Sequence, residues 1–238
     1  MTDERSELID VAALRYRHVG RYAYHFARSK LRHDPVFTAI LRLGLISGAR
    51  NILDLGCGIG LLASWLRGAH DVHAAGRWPA GWPVPPSPDH IQGIDHDARD
   101  LRCAHAALGE LAEFVCADAR AAPFGRPDTV VILDMLHYMQ FAAQVEVLAH
   151  VRAAIEEDGV LILRIGDASA GLRFKISEWV DRGVLIARRG YMRRLYCRTL
   201  PEWRALLEHV GFRSDCIPMA AGTPFANQLL IARPAQPT

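Results

Sequence analysis

The most constraining feature of this chain is a short apolar run that ends in an aspartate and turns through three glycines. The run begins at Asn51, reaches Asp54 and continues through Gly56, Gly58 and Gly60 before helix-forming residues resume. Glycine tolerates a positive φ and lets a ligand approach the main chain closely. The segment therefore predicts a strand, a tight turn and a helix, with a ligand bound where the helix starts.

Strand-like and helix-like stretches alternate after this unit. The predicted strands are 51–55, 91–95, 114–117, 129–134, 160–165, 212–218 and 228–232, and the predicted helices are 61–66, 98–108, 141–157, 170–188 and 199–211. The first five strands are apolar nearly throughout, and helices separate most of them. This pattern indicates an α/β domain whose parallel sheet is covered on both faces.

Two stretches depart from the alternation. Residues 7–33 predict one or two helices, and Asp34-Pro35 predicts the start of another helix that ends at Gly48. We interpret residues 1–48 as a helical lid and residues 49–238 as the main domain. Residues 75–90 hold five prolines and two tryptophans and predict an inserted loop. A surface excursion is favoured over a flap that covers a pocket.

Composition excludes several classes of protein. The 28 basic and 26 acidic residues leave a formal charge of +2, too small for the overall basic field of nucleic-acid binders. No apolar run approaches the roughly 20 residues of a membrane span, and the acidic N-terminus predicts a cytoplasmic protein. Five scattered cysteines argue against a disulfide framework or a zinc site. Cys103, Cys116 and Cys216 have apolar neighbours and are expected in the core.

Three aspartates at successive strand ends indicate the kind of ligand. Asp54 would repel a pyrophosphate but attract an ammonium group. Asp95 ends the second strand and can accept hydrogen bonds from two ribose hydroxyls, while Asp118 follows the third and can meet an adenine amino group. The glycines alone would also fit a dinucleotide. The three acids together suit a nucleoside that carries a cationic amino-acid tail.

Residues 50–235 resemble the class I S-adenosylmethionine-dependent methyltransferases. The resemblance rests on Asp54–Gly60, Asp95, Ala117–Ala119 and Asp128–Tyr138, which follow one another in the family's order. It implies a Rossmann-like sheet of seven mostly parallel strands, with helices on both faces and the last strand antiparallel. It also implies S-adenosylmethionine as the cofactor. The implied binding residues are Asp54, Gly56, Cys57, Gly58, Gly60, Asp95, His96, Asp118, Ala119 and Asp134.

Methyl transfer from a sulfonium is an in-line displacement, so the enzyme aligns donor and acceptor and adds a base where the acceptor must lose a proton. The candidate catalytic residues Asp134, His137 and Tyr138 follow the fourth strand. His137 is the favoured base because an ordinary imidazole is mostly neutral near pH 7. The alternative is that His137 and Tyr138 only pack against the donor. We predict no metal, because Arg164 stands where a second acidic Mg²⁺ ligand would be expected.

Two basic segments bear on the acceptor. Residues 11–33 hold six Lys and Arg and no acid, and residues 172–204 hold nine against three acids. They are either solvated helix faces or a docking surface for an acidic partner.

Residues 20–37 and 222–227 resemble a bacterial methyltransferase subgroup associated with aryl-polyene and xanthomonadin-like pigment clusters. This resemblance implies a small aryl or polyene acceptor, free or tethered to an acyl carrier protein. The alternatives are RNA methylation and a non-catalytic protein that binds S-adenosylmethionine. RNA is disfavoured because no added RNA-binding module is recognisable and no Asn/Asp-Pro-Pro-Tyr/Phe tetrapeptide follows the fourth strand.

Overall fold

A computed structural model describes residues 2–170, 195–219 and 226–235. The α-helices are α1 (Thr2–Leu14), α2 (Arg21–His33), α3 (Pro35–Arg42), α4 (Leu61–Ala74), α5 (Ala98–Leu108), α6 (Phe141–Ala154) and α7 (Leu200–His209). The strands are β1 (Asn51–Leu55), β2 (His90–Asp95), β3 (Glu113–Cys116), β4 (Thr129–Leu133), β5 (Val160–Gly166), β6 (Phe212–Pro218) and β7 (Asn227–Pro234). Short 3₁₀ helices lie at Gly109–Leu111 and Leu136–Tyr138.

The seven strands form one mixed sheet in the order β3-β2-β1-β4-β5-β7-β6, flanked by helices, as the resemblance implies. The chain divides into two compact units between Thr129 and Val130. In the first unit β1, β2 and β3 are parallel, with Asp54 beside Gly93 and Asp95 beside Cys116. The carboxyl ends of these strands therefore lie at one edge, where the three predicted acids follow them.

The N-terminal residues form two helices, α1 and α2, before α3. Asp34 caps α3 by accepting a hydrogen bond from the Val36 N–H, with Pro35 in the first turn. The prediction that α3 runs to Gly48 is wrong, because the helix ends at Arg42 and the chain turns at Gly44 with φ 62°.

Helix α4 is longer than predicted and contacts α1 closely. It extends to Ala74 through Gly68, where an added Cβ would lie 3.2 Å from the Cβ of Ala12. The Ser64 hydroxyl donates to the Ala12 carbonyl at 2.8 Å. The first predicted segment is thus packed onto the sheet-flanking helix, and its role as a lid stays a prediction.

Residues 75–89 form the predicted loop, with no helix or strand of their own. The Trp78 indole N–H donates to the Pro83 carbonyl at 3.0 Å, and its ring meets Trp82 edge-on at 5.6 Å between centroids. The loop enters β2 at His90, the amino end of the strand, whereas Asp95 is at the other end. This placement agrees with a surface excursion.

The second unit ends in an antiparallel pair, as expected. Strand β7 is antiparallel to both β5 and β6. Helix α7 begins with a capping box in which Thr199 and Glu202 bond each other's main chain. The predicted helix at 170–188 lies outside the described residues except for its first residue.

The prediction that Cys103, Cys116 and Cys216 lie in the core is wrong, because none of the three is buried. Cys116, expected in the core, is exposed because it ends β3 at the margin of the sheet, while Cys103 and Cys216 are half-buried. No disulfide joins any two of the five cysteines, all of which lie in the described part of the chain. None of the helices in the described part of the chain combines the length and apolarity required to span a bilayer.

Candidate functional site

The turn from β1 to α4 has three positions at which the backbone conformation favours glycine. Gly56, Gly58 and Gly60 have φ values of 76°, 54° and 79°. A Cβ at Gly60 would lie 2.8 Å from the side chains of Leu108 and Phe114, so close packing also requires glycine there. A Cβ at Gly58 would meet nothing within 4 Å. The main chain at Gly58 is therefore open to a ligand.

Hydrogen bonds fasten this loop to the end of β2. The main-chain N–H groups of Gly56 and Cys57 donate to the Ile94 carbonyl at 2.8 and 3.2 Å. The thiol of Cys57 is buried, and burial raises its pKa well above the ordinary range. Cys57 therefore contributes its main chain and an uncharged side chain to the loop.

Asp54, at the end of β1, is 5% exposed. Burial, together with the nearby charge of Asp95, raises the pKa of its carboxyl to about 7. A cationic group placed beside this carboxyl would favour the ionised form. The position therefore has the electrostatic character expected of an ammonium-binding site.

Asp95 joins β2 to the glycine loop. One carboxylate oxygen accepts the Gly58 N–H at 2.9 Å, and the other accepts the Asp97 N–H at 2.9 Å. Burial raises the pKa of Asp95, but hydrogen bonds from His96, Asp97 and Gly58 outweigh it and hold the pKa below its ordinary value. Asp95 is thus ionised, with lone pairs left for ligand hydroxyls. The exposed His96 ring lies 3.4 Å from this carboxylate.

Asp118 lies after β3 and is engaged by a residue that the sequence analysis missed. Its carboxylate accepts the main-chain N–H of Arg120 at 2.9 Å and pairs with the guanidinium at 2.5–3.1 Å. These bonds lower the pKa of Asp118 to about 2. Ala119 is buried behind it. An adenine amino group would have to share this carboxylate with Arg120.

The second unit holds the predicted catalytic residues. Asp134 follows β4 with φ 56°, the one positive φ of a non-glycine among the described residues. Arg164, 3% exposed on β5, donates from Nε to one Asp134 oxygen at 2.8 Å and from Nη2 to the other. From the sequence, Arg164 was notable only because it stands where an acidic Mg²⁺ ligand would be expected. In the structure its guanidinium binds both oxygens of Asp134.

His137 and Tyr138 lie in the 3₁₀ turn after β4, with ring centroids 4.0 Å apart. The main-chain carbonyl of His137 accepts the Tyr196 N–H at 2.8 Å. Burial lowers the pKa of the His137 imidazole to about 4, with a smaller opposing effect from Asp134. The ring is therefore neutral near pH 7, as a base must be, but its proton affinity in this environment is low.

Gln144, a second residue that the sequence analysis missed, fixes this turn from α6. Its fully buried amide donates to the carbonyls of Leu136, Met139 and Tyr196 at 2.8–3.2 Å and accepts from Arg198 at 2.8 Å. The available signal was its spacing, since Gln144 lies three, four and seven residues before Val147, Leu148 and Val151 and so shares their buried side of α6.

Comparisons with known proteins agree with the resemblance. The family model described as a methyltransferase domain matches residues 25–217, most of the chain. No curated protein is significantly similar in sequence.

Several solved methyltransferases share the fold. The mitomycin 7-O-methyltransferase MmcR is 19% identical, with a TM-score of 0.61 over 94% of this chain and 60% of that one. The magnesium protoporphyrin IX methyltransferase of Synechocystis, solved with S-adenosylhomocysteine, is 19% identical, with a TM-score of 0.58 over 92% of each chain. The 1,6-didemethyltoxoflavin-N1-methyltransferase of Burkholderia thailandensis is 20% identical, with a TM-score of 0.59 over 94% and 88%.

This chain spans about 60% of the length of the mitomycin enzyme. Identities of 19–20% show a common fold. The family match covers the glycine loop and all three strand-end acids. The chain therefore belongs to the methyltransferase domain family, in which S-adenosylmethionine is the cosubstrate.

Proposed function

We propose that this protein transfers the methyl group of S-adenosylmethionine to a small-molecule acceptor. The observation that carries the proposal is the joint geometry of Asp54, Asp95 and the open main chain at Gly58. The buried Asp54 would bind the donor's ammonium group, and Asp95 its ribose hydroxyls. Asp118, His96 and Ala119 would surround the adenine, and Cys57 would contribute main chain.

His137 would accept the proton of an acceptor hydroxyl or amine, since its ring is neutral at the working pH. Its low pKa supports the alternative role as well, in which His137 and Tyr138 shape the pocket and the acceptor loses its proton to water. Asp134 would act through its ion pair with Arg164 by holding the turn before His137. The same pair leaves the Asp134 carboxylate neutralised, which supports metal-independent transfer.

Calorimetry and a transfer assay test the proposal. S-adenosylmethionine and S-adenosylhomocysteine should bind, and NADH should not. Asp95→Asn should weaken S-adenosylhomocysteine binding by about tenfold or more, because a charge-assisted acceptor is lost. Asp89→Asn, at an exposed surface ion pair, is the matched control and should bind normally. Tight NADH binding without S-adenosylhomocysteine binding would replace this function with that of a dinucleotide enzyme.

For the acceptor, we propose an aryl or polyene compound, presented by an acyl carrier protein. The support is the basic face of α2, where Arg21, His25 and Arg32 are exposed and Tyr22 is 73% exposed. Other members of the first basic segment are already paired, Arg15 with Asp71, Arg28 with Asp10 and Lys30 with Asp34. We therefore place the proposed docking surface on this α2 face, and Arg17, which is also exposed, lies in the turn before α2.

Among the described residues, the second basic segment contributes fewer side chains to the proposed docking surface than predicted. Arg198 donates to Gln144 and lies 4.6 Å from the Phe141 ring centroid, so it serves the turn after β4. The remaining basic residues of that segment, apart from Arg204, lie outside the described residues, as do most of residues 222–227.

A binding experiment with an aryl-loaded acyl carrier protein tests the docking proposal. The affinity should fall as salt rises from 50 to 300 mM, and Arg21→Glu with Arg32→Glu should weaken it further. Arg213→Glu, at an exposed position on β6, is the control. Unchanged affinity in the double variant would contradict docking on α2. Transfer of tritiated methyl to RNA, but not to small molecules or carrier, would favour the RNA alternative.

A further inference from the structure

Tyr16 links the N-terminal helices to the glycine loop. It lies in the turn after α1 with no exposed surface, and its hydroxyl donates to the Ile59 carbonyl at 3.0 Å. Ile59 is the residue between Gly58 and Gly60. The bond therefore crosses from the first 48 residues to the centre of the proposed donor-binding loop.

Hydrogen bonds attach the chain to neighbouring helices both before and after Tyr16. On one side Ser64, in α4, donates to the Ala12 carbonyl at 2.8 Å. On the other side, a ring nitrogen of His18 lies 2.7 Å from the Ala106 carbonyl in α5. Helices α4 and α5 follow the glycine loop and Asp95, respectively. Residues on either side of Tyr16 in the chain are thus bonded to α4 and α5, independently of its own bond to Ile59.

Burial also keeps the phenol in its donor form. Desolvation raises the pKa of Tyr16 well above its ordinary range. The hydroxyl therefore carries its proton near neutral pH and can donate to Ile59.

We propose that Tyr16 is a positioning residue for donor binding, which orders the glycine loop through the Ile59 carbonyl without touching the donor. The proposal rests on the proposed function of the loop. Three left-handed glycines leave the loop few conformational restraints of its own, so ordering it beforehand lowers the entropic cost of binding.

The test compares Tyr16→Phe with Trp65→Phe by calorimetry with S-adenosylhomocysteine. Trp65 is equally buried and donates to the Phe37 carbonyl at 2.8 Å, away from the loop. Tyr16→Phe should raise the Kd by about three- to tenfold, the range expected for one lost hydrogen bond. Trp65→Phe should lower the melting temperature but leave the Kd within about twofold of the wild-type value.

Two further measurements separate positioning from stability. In Tyr16→Phe, hydrogen exchange should quicken at residues 56–61 and remain unchanged at residues 37–41, and donor KM should rise with kcat unchanged at saturation. His18→Ala, an exposed change on the same turn, should raise the Kd in the same direction. This variant keeps the test valid if Tyr16→Phe does not fold.

A wild-type-like Kd in both the Tyr16 and His18 variants would overturn the positioning role, and so would an equal loss in Trp65→Phe. Absence of S-adenosylhomocysteine binding in the wild type would instead refute the proposed function.

Discussion

Asp54 is a buried carboxyl with a pKa of about 7, so donor binding at the proposed site should depend on pH. Asp54 is largely protonated at pH 6 in the free protein, and an ammonium group binds its ionised form. Binding must therefore release a proton at low pH. Burial makes the Asp54 carboxylate costly to leave ionised when no cation lies beside it.

Binding of S-adenosylhomocysteine should weaken as pH falls. With a pKa of about 7 for Asp54, the apparent Kd should be about eightfold higher at pH 6 than at pH 7.5. Calorimetry in buffers of different ionisation enthalpy should detect the released proton. Asp54→Asn should bind more weakly and lose this dependence. A flat pH profile in the wild type would show that Asp54 does not face the ammonium group.

The same carboxyl should cost stability in the free protein. Its folded-state pKa is raised above the unfolded value, so its favourable contribution is present at low pH and is lost as pH rises through about 7. Asp54→Asn should therefore raise the melting temperature by a few degrees at pH 8, and by less at pH 4. Thermal unfolding at the two pH values checks the sign. A lower melting temperature at pH 8 would contradict the burial cost.

His137 gives a separate prediction on turnover. His137→Gln should lower kcat by about a hundredfold if the ring accepts the acceptor's proton, with the donor Kd unchanged. Because burial lowers the pKa of the wild-type ring to about 4, turnover should show no inflection from His137 between pH 5.5 and 8. A loss of only a few-fold would assign His137 to packing.

At the scale of elements, the glycine loop depends on the surfaces that pack against it. A Cβ added at Gly60 would meet Leu108 of α5 and Phe114 of β3, whereas a Cβ added at Gly58 would meet no atom within 4 Å. Both residues have positive φ, so an alanine at either position is strained. Comparing the two substitutions therefore separates the cost of backbone strain from the cost of packing.

Gly60→Ala should therefore destabilise the protein more than Gly58→Ala. Strain alone costs on the order of 1 kcal/mol at either site, and overpacking adds about 1–3 kcal/mol at Gly60. Denaturant unfolding of both variants measures the difference. Gly58→Ala should instead impair donor binding, since its new methyl group projects into the open space. Equal destabilisation would contradict the packing of Gly60 on α5.

Elements bounded by strong local signals could be predicted from the sequence. Asp34-Pro35 and Thr199 mark helix starts because a cap and a fixed φ act within a few residues. The end of α3 could not be predicted because it depends on a turn at Gly44. The length of α4 could not be predicted because it depends on contact with Ala12. The strand-end aspartates were also predictable. The ion pairs of Arg120 with Asp118 and of Arg164 with Asp134 could not be predicted, because side-chain pairing depends on tertiary structure.

At the scale of the whole molecule, donor binding should stabilise the fold. A ligand at a hundred times its Kd adds about 2.7 kcal/mol, which corresponds to roughly 5–10 °C for a chain of this size. S-adenosylhomocysteine should produce this shift, and NADH should not. Transfer should also survive EDTA. Loss of activity in EDTA with rescue by Mg²⁺ would contradict metal-independent transfer and the proposal that Asp134 is occupied by its ion pair with Arg164.

The proline-rich loop at 75–89 has a practical consequence. It enters β2 at the strand end opposite Asp95, and its own tryptophan contacts define much of its shape. Val84 at its tip is 65% exposed. A fluorophore, an affinity tag or a surface tether attached at Val84 would lie on the loop that enters β2 at the end opposite Asp95. Val84 is therefore a suitable attachment site for donor-binding assays on immobilised protein.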